Sequence, residues 1–326
     1  MTGSPQAVAP RILFVDHEFH RRTRSTQFFL DLLPAESTRA LYCAPQADLL
    51  PLLREHPCEA LVFMQLQPKP RLLRALAHPN VTWVPMRDDF DADSRRVRQT
   101  RGSGLKFVNF CRQTHDVIHA RGQPSLGVRY WPEPRPAPPR HARTHPRVYL
   151  WDRGQVQWPL LKRLLGEQPV DSVVLRLSAD PGHRAVRPDA DDVRRYRIQV
   201  VEDWLARDDY LALVAGCDVF VAPRWLEGIG MAMLEALAAG QPVIAPDRPT
   251  MNEYVHEGRN GWLYDPACPR PLDLSGWRER GRSAWQDCVD GAARWAIERR
   301  AIAPFVLSPS TRRDRWWWRL AARLGR

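Results

Sequence analysis

The sequence predicts an α/β protein made of two similarly built halves. Short apolar runs rich in valine, isoleucine and phenylalanine alternate with longer amphipathic stretches, and this alternation favours parallel sheets flanked by helices. A proline-rich stretch near the middle of the chain interrupts the alternation, which then resumes. The length of 326 residues fits about two domains of roughly 100 to 200 residues each.

The first half, residues 1–131, contains six apolar runs that predict buried strands. Longer amphipathic stretches separate these runs, and residues 27–33 belong to one predicted helix. The predicted strands are residues 12–15, 40–43, 60–64, 81–84, 107–110 and 127–131.

The stretch 132–146 separates the two halves. Its six prolines forbid a helix or a central strand, so we expect an extended, semi-rigid linker. Two α/β halves joined in this way are expected to leave a ligand-binding cleft between them.

The second half, residues 147–326, repeats the alternation of the first. One predicted helix is followed by Gly240 and Pro242, as is common at helix ends. The predicted strands are residues 148–151, 173–177, 198–201, 218–222 and 243–245, and the predicted helices are residues 158–165, 209–216 and 231–239.

The composition indicates a globular protein with anionic partners. Hydrophobic residues make up 44% of the chain, which is enough for sizeable cores. The net charge of +11 suits nucleic acid, an anionic membrane or phosphorylated substrates. Of the 48 basic residues only Lys69, Lys106 and Lys162 are lysines, and a GC-rich genome explains this arginine bias equally well.

Cysteine usage and hydropathy favour a cytoplasmic protein. The six cysteines form no C-x-x-C pair and have no zinc-ligand spacing with histidine, which fits a reducing compartment. Residues 1–10 lack a signal-peptide pattern, and no run of 18 apolar residues predicts a membrane-spanning helix.

Residues 218–265 contain the most informative pattern. A strand there ends at a turn that holds Glu227, Gly228, Ile229 and Gly230, and a helix that contains Glu235 follows. Open α/β sheets bind ligands at the carboxyl ends of their strands, and a helix N-terminus attracts phosphates and hydroxyls. Two carboxylates at such a place can accept hydrogen bonds from a ribose and from a hexose.

This segment resembles the donor site of GT-B glycosyltransferases, in particular glycosyltransferase family 4, whose pattern contains E-x7-E. The matching residues are Glu227, Gly228, Ile229, Gly230, Glu235, Ala236, Ala238, Gly240, Pro242 and Val243, followed by Glu253, Val255, Gly258, Asn260 and Gly261. The resemblance covers about 50 residues. It implies two Rossmann-like domains that face each other across a cleft, a retaining reaction, and no metal or other cofactor.

The resemblance also assigns donor-binding roles. Glu235 is expected to bind the nucleotide ribose, and Glu227 the transferred sugar. Backbone groups near Ile229, Gly230 and Met231 are expected to contact that sugar as well.

Basic residues are expected to bind the diphosphate of the donor. Family members carry a Gly-Arg pair after the first strand of the second domain, with a lysine further on. Arg153 matches in place, although Asp152 replaces the glycine and Lys162 lies later than usual. Arg224 is a second candidate, because guanidinium geometry suits phosphate.

The first half provides acceptor-side candidates. In place of the family's glycine-rich loop, residues 16–26 contain His17, His20, Arg21 and Arg22, which suit an anionic acceptor, although a solvated face explains them equally well. Gln65 follows a strand where the family has a histidine, and His115 and His119 are alternatives that the sequence does not separate.

Two further patterns point to other partners. Asp89, Asp91 and Asp93 have the spacing of a divalent-metal site, and Asp189, Asp191 and Asp192 form a similar loop. We expect no metal, because the resemblance requires none. Residues 311–326 combine three tryptophans with several arginines, which suits either an anionic membrane surface or a helix packed on the first domain.

The sequence therefore predicts a glycosyltransferase that moves a hexose-like sugar from a UDP- or GDP-type donor to a hydroxyl acceptor. The family suggests surface polysaccharide or lipid-linked glycan synthesis, at the inner face of the membrane or in the cytoplasm. The alternatives are a non-catalytic nucleotide-sugar-binding module and a nucleic-acid-binding protein, although no nucleic-acid-binding motif is present and no nucleic-acid partner is expected.

Overall fold

The protein consists of two units, each built on one six-stranded sheet. The computed structural model describes residues 11–44, 46–90, 95–101, 103–136, 143–180, 182–203 and 205–310. One unit comprises the described residues of Met1–Arg129 and Ala296–Arg326, and the other comprises those of Tyr130–Trp295. Every strand pair in both sheets is parallel, which confirms the predicted α/β class.

The first unit has the strand order β2-β1-β3-β4-β5-β6. Ile12, Leu13, Phe14 and Val15 are fully buried, because helices and loops cover both faces of a parallel sheet. Its strands are β1 (Ile12–His17), β2 (Thr38–Cys43), β3 (Ala60–Met64), β4 (Val81–Val84), β5 (Lys106–Asn109) and β6 (Ser125–Gly127). Its helices are α1 (Glu18–Thr23), α2 (Gln27–Leu30), α3 (Leu49–Arg54), α4 (Pro70–Leu76), α5 (Arg95–Arg98) and α6 (Arg112–Ala120).

The second unit has the strand order β12-β11-β10-β7-β8-β9. Its central strands β10, β7 and β8 are therefore neighbours, and the loops that follow them lie at one edge of the sheet. Its strands are β7 (Arg147–Asp152), β8 (Ser172–Leu177), β9 (Ile198–Val201), β10 (Val219–Val221), β11 (Val243–Pro246) and β12 (Gly261–Tyr264). Its helices are α7 (Trp158–Leu165), α8 (Ala190–Arg195), α9 (Arg207–Ala215), α10 (Met231–Ala238) and α11 (Trp277–Glu298).

The end of the described chain returns to the first unit, whereas the sequence predicted a second domain that continues to residue 326. Helix α12 (Ile302–Leu307) ends beside β5. There the Lys106 ammonium donates to the carbonyl oxygens of Phe305 at 2.5 Å, Val306 at 3.0 Å and Ser308 at 2.6 Å. A cation is favourable at a helix C-terminus, so this contact holds α12 on the first sheet. The Trp/Arg stretch 311–326 lies outside the described residues.

The proline-rich stretch contacts the second unit through Arg135. The backbone N–H of Arg135 donates to Ala238 O at 3.1 Å. The indole N–H of Trp285, on α11, donates to Arg135 O at 2.8 Å. Prolines prevent regular structure here, but they do not prevent an extended chain from hydrogen bonding to neighbouring helices.

Some elements differ from the prediction. The sixth strand is Ser125–Gly127 and not 127–131, and strand β12 and helix α11 were not predicted. The buried positions of α11 include Gly281, Ala284, Cys288 and Gly291, which are too small to give an apolar stripe in the sequence. Within the described ranges we find no helical stretch with the length and hydropathy needed to span a lipid bilayer.

Candidate functional site

Two arginines share one carboxylate at the carboxyl edge of the second sheet. Oδ1 of Asp180 accepts from Arg153 Nε at 3.0 Å and Nη2 at 2.7 Å. Its Oδ2 accepts from Arg224 Nε at 3.0 Å and Nη2 at 2.6 Å. The three side chains are 18 to 23% exposed, so they lie near the surface but out of bulk water. We call Arg153 and Arg224 the arginine pair.

The loop that carries Arg153 is shaped by Asp152, the residue that departs from the family pattern. The Asp152 carboxylate is fully buried and accepts from the backbone N–H groups of Gly154 at 2.8 Å and Val186 at 3.0 Å. Burial raises the pKa of this carboxyl, while the two N–H groups oppose that shift. Gly154 has φ +96, and a Cβ there would lie 2.3 Å from His183 Cβ, so this position requires glycine.

The turn before α10 carries Glu227. The hydroxyl of the fully buried Thr250 donates to Glu227 O at 2.7 Å, which fixes the turn to the loop after β11. Arg224 Nη1 lies 4.0 Å from Glu227 Oε2. Gly230 is the N-cap of α10 with φ +76, a conformation that favours glycine. Ile229 is buried, Gly228 lies in the same turn, and Met231 begins the helix.

Glu235 lies one turn into α10, where its Oε1 is 2.6 Å from Arg207 Nη2. The Glu235 side chain is 17% exposed and that of Arg207 is 68% exposed, so the carboxylate is the inner member of the pair. The hydrogen bond from Arg207 to Glu235 raises the pKa of the arginine. Close by, burial and then the Glu235 charge raise the pKa of Tyr210 to about 12.

A row of stacked side chains connects Glu235 with the arginine pair. The Arg153 guanidinium lies 4.8 Å from the Trp151 ring centroid, and the Arg176 guanidinium lies 4.5 Å from the same centroid. Arg176 is also 5.4 Å from the ring of Tyr210, which lies three residues after Arg207 in α9. A connected cluster of charged and aromatic side chains therefore runs from Glu235 to the arginine pair, and Glu227 approaches it through Arg224 at 4.0 Å.

Lys162 is not part of this cluster. Its Nζ lies 2.6 Å from Asp192 Oδ1, and the other oxygen of that carboxylate accepts from the Trp158 indole at 2.7 Å. The hydrogen bond with Asp192 raises the pKa of Lys162. This lysine thus links α7 to α8, whereas Arg153 and Arg224 contact Asp180.

In the first unit, His17 ends β1 and Gln65 directly follows the neighbouring strand β3. The β1–β3 register aligns Val15 with Phe63, so the two candidates lie at the same sheet edge. Nδ1 of His17 accepts from Phe19 N–H at 3.0 Å and caps α1, which contains the exposed Arg21. Gln65 has φ +60, an uncommon conformation for this residue.

Beside His17 lies a buried pair of His20 and Asp16, of which only His20 was a candidate in the sequence. Asp16 is fully buried, and its Oδ1 lies 2.6 Å from His20 Nδ1. Its Oδ2 accepts from Thr26 at 2.5 Å. His115 has a different partner, since its Nδ1 lies 2.8 Å from Ser125 Oγ. Burial lowers the pKa of His115, so this imidazole favours its neutral form.

The acidic loops divide between described and undescribed residues. Asp189 caps α8 by accepting from Asp192 N–H at 2.7 Å, and Asp191 pairs with Arg194 on the same helix. Asp91 and Asp93 lie outside the described residues. Where the structure is described, no three His, Cys, Asp or Glu side chains are grouped as potential metal ligands.

Comparison with known proteins identifies one region of the chain by sequence. Residues 201–272 match the family model described as "Glycosyl transferases group 1". The Bacillus subtilis (strain 168) protein named "Putative glycosyltransferase EpsD" is 44% identical over 55 residues. That match spans 17% of this chain and only 14% of EpsD. Glu227 and Glu235 lie inside the matched region, whereas Arg153 and Asp180 precede it.

Solved structures resemble the chain over nearly its whole length. A glycosyltransferase from Rickettsia africae ESF-5 has a TM-score of 0.58 at 8% identity, covering 92% of this chain and 98% of its own. The lipopolysaccharide outer core galactosyltransferase WaaB, in its apo form, has a TM-score of 0.55 at 12% identity and covers 97% and 99%. Anabaena Alr3699/HepE in complex with UDP and glucose has a TM-score of 0.51 at 15% identity and covers 96% and 99%.

At such low identities, the similarity to these solved structures shows the fold alone. The family match adds a sequence signature in the second unit. The signature contains the turn of Glu227 and the helix of Glu235. Residues 201–272 therefore match the glycosyl transferases group 1 model, and the chain has the GT-B glycosyltransferase fold.

Proposed function

We propose that this protein transfers a hexose-like sugar from a UDP- or GDP-type donor to a hydroxyl group of an acceptor. The observation that carries the proposal is the grouping of the arginine pair, Glu227 and Glu235 at the carboxyl edge of one parallel sheet. Cations suit a diphosphate, and carboxylates suit the hydroxyls of a ribose and a hexose. A nucleotide sugar presents all three groups in one molecule.

The comparisons support the same donor class. The group 1 match covers both glutamates, and HepE, which shares the fold, binds UDP and glucose. On this basis we assign the protein to glycosyltransferase family 4, with the E-x7-E pattern formed by Glu227 and Glu235.

The roles of the residues follow from the chemistry of the reaction. As the bond between the anomeric carbon and the phosphate oxygen breaks, negative charge grows on the leaving nucleoside diphosphate. Arg153, Arg224 and the N-terminus of α10 stabilise that charge, which is the kind of interaction that lowers such barriers most. Glu227 positions the hexose together with backbone groups of residues 228–231, and Glu235 holds the ribose.

The acceptor contributes the hydroxyl oxygen that forms the new bond and loses its proton. His17, Arg21 and Gln65 are the proposed acceptor-side residues on the first unit, since they lie on or beside the ends of β1 and β3. We assign retention of configuration, independence of metal ions, and surface polysaccharide or lipid-linked glycan synthesis at the cytoplasmic side of the membrane from the resemblance to family 4.

Ligand-induced thermal shifts test the donor assignment. UDP or GDP at about 100 times its Kd stabilises the native state by about 2.7 kcal/mol, which gives a rise in Tm of several degrees. Nucleoside without phosphate, at the same concentration, should give a much smaller shift. Release of UDP or GDP from its sugar conjugate in the presence of acceptor glycans then tests transfer.

A matched pair of variants separates the site from general effects. Glu227→Gln should lose transfer while it still binds UDP or GDP, because the nucleotide contacts remain. Asp171 pairs with Arg143 and lies just before β8, at the end of that strand opposite to the candidate site. Asp171→Asn removes this carboxylate and should leave transfer unchanged. Absence of any nucleotide-dependent shift in the unmodified protein would refute the proposal.

A further inference from the structure

Asp180 fixes the orientation of both members of the arginine pair. Each of its oxygens accepts two N–H groups from one guanidinium, at distances of 2.6 to 3.0 Å. Two charge-assisted N–H contacts from one guanidinium restrict its position and direction more than a single contact would. The two arginines therefore have defined directions without any other ligand.

The backbone joins the loops that carry these side chains. Asp180 N–H donates to Arg153 O at 3.2 Å, which connects the loop after β8 to the loop after β7. Trp225 N–H donates to Gln155 Oε1 at 3.1 Å, which connects the loop after β10 to the loop after β7. Asp180 thus lies where three neighbouring strand ends meet.

Charge explains why a carboxylate is needed at this point. The Arg153 and Arg224 guanidinium groups both lie within hydrogen-bonding distance of Asp180, so their positive charges repel each other. Partial burial strengthens this repulsion, because less water screens the two charges. One carboxylate leaves the group of three with a net charge of +1, and another charged group beside it is Glu227, whose Oε2 lies 4.0 Å from Arg224 Nη1. Arg153 uses two of its five N–H groups on Asp180, and among the described residues we find no acceptor for the other three.

We propose that Asp180 is a positioning residue that sets Arg153 and Arg224 to bind the diphosphate of the donor. Asp180 itself does not contact the reacting atoms. This inference rests on the proposed function, since it names the residue that prepares the diphosphate subsite.

Asp180→Asn tests the inference by removing the charge while keeping the side-chain size. An amide has one acceptor oxygen, so it can satisfy one arginine only, and its NH2 group faces the N–H groups of the other. We expect the Kd for UDP and for inorganic pyrophosphate to rise about 10- to 100-fold, the size expected when a charge-assisted hydrogen bond to the diphosphate is lost. Binding of uridine, which lacks phosphate, should be unchanged, and a merely unfolded site would not show this selectivity.

Two further variants complete the experiment. Asp180→Glu keeps the charge and both oxygens, so it should restore part of the pyrophosphate affinity. Asp171→Asn, a loss of one carboxylate near the opposite end of β8, should bind pyrophosphate like the unmodified protein. Calorimetric titration gives the affinities, and the Tm of each variant checks its folding.

The outcomes distinguish the inference from the proposed function. Unchanged pyrophosphate affinity in Asp180→Asn overturns the inference, and so does tighter binding, which would show that the carboxylate competes with the anion. Selective loss of UDP and pyrophosphate binding supports the inference even if no sugar is transferred, in which case the proposed function alone fails. If the unmodified protein binds neither UDP nor pyrophosphate, both fail.

Discussion

Replacement of Glu235 by glutamine should weaken nucleotide binding with little effect on folding. Glutamine keeps the shape of the side chain but removes the charge that two ribose hydroxyls would contact. The change in the free energy of unfolding is expected to be small. The contact with Arg207 at 2.6 Å involves an arginine that is 68% exposed, and such pairs contribute about 0.2 to 1 kcal/mol.

The effect on binding is expected to be larger. A hydrogen bond to a charged group contributes about 1.5 to 3 kcal/mol, and each 1.4 kcal/mol changes Kd about tenfold. Since the carboxylate is only 17% exposed, water replaces the lost contact poorly, and we expect the Kd for UDP to rise about 10- to 100-fold. A variant with the same chemical change at an exposed pair, Glu167→Gln opposite Arg195, should bind UDP normally.

Calorimetric titration with UDP and with 2′,3′-dideoxy-UDP isolates the contact. The unmodified protein should prefer UDP strongly, whereas Glu235→Gln should bind both ligands with similar affinity. If the variant kept the full preference for UDP, Glu235 would not contact the ribose. A large fall in Tm would instead show that the carboxylate has a structural role that its exposed partner does not suggest.

Three other changes test the packing and electrostatics around the sheets. A Cβ on Gly291 of α11 would lie 2.4 Å from the buried Trp131 ring. Although alanine favours a helix more than glycine does, Gly291→Ala should therefore lower the free energy of unfolding, measured by denaturant titration, by about 1 to 3 kcal/mol. Burial lowers the pKa of Lys106 from 10.5 to about 8, so the unfolded chain binds more protons between these values. Relative to Lys106→Met, the free energy of unfolding of the unmodified protein should therefore increase by up to about 3 kcal/mol as the pH rises through that window. If plots of this free energy against pH were parallel for the two proteins, the prediction would be wrong. Trp151→Leu removes the ring on which Arg153 stacks, so the Kd for pyrophosphate should rise about 3- to 10-fold. Trp151→Phe keeps an aromatic ring and should raise this Kd less. Equal affinities in both variants would exclude the stacking contribution.

Local patterns predicted most of the second sheet because its strands are buried on both faces. Residues 158–165 were predicted as a helix, and α7 has those bounds, while α10 begins at the predicted Met231. The glycine and proline after α10 end that helix by backbone geometry, which a sequence displays directly. Strand β12 escaped prediction, since it is short and begins with Gly261, whose Cβ would lie 2.2 Å from Val243 O.

Within the candidate site, too, some residues were predicted from the sequence and others were identified only in the structure. Glu227, Glu235 and Arg153 were predicted from the resemblance to a family pattern and from their positions after strands and in a helix, which depend on near neighbours in the chain. Asp180 was not found, because it lies 27 residues after Arg153 and 44 before Arg224. The contact of Lys162 with Asp192 was not predicted for the same reason, since Asp192 lies on another helix.

By itself, the sequence determined the α/β class and the position of the two glutamates after β10, because strand burial, turn chemistry and helix ends depend on short-range periodicity. Only the tertiary structure decided which charges pair and where the last described helix packs. The order β10-β7-β8 brings three loops together that are far apart in the chain, and the Coulomb interactions among their side chains exist only once those strands are neighbours.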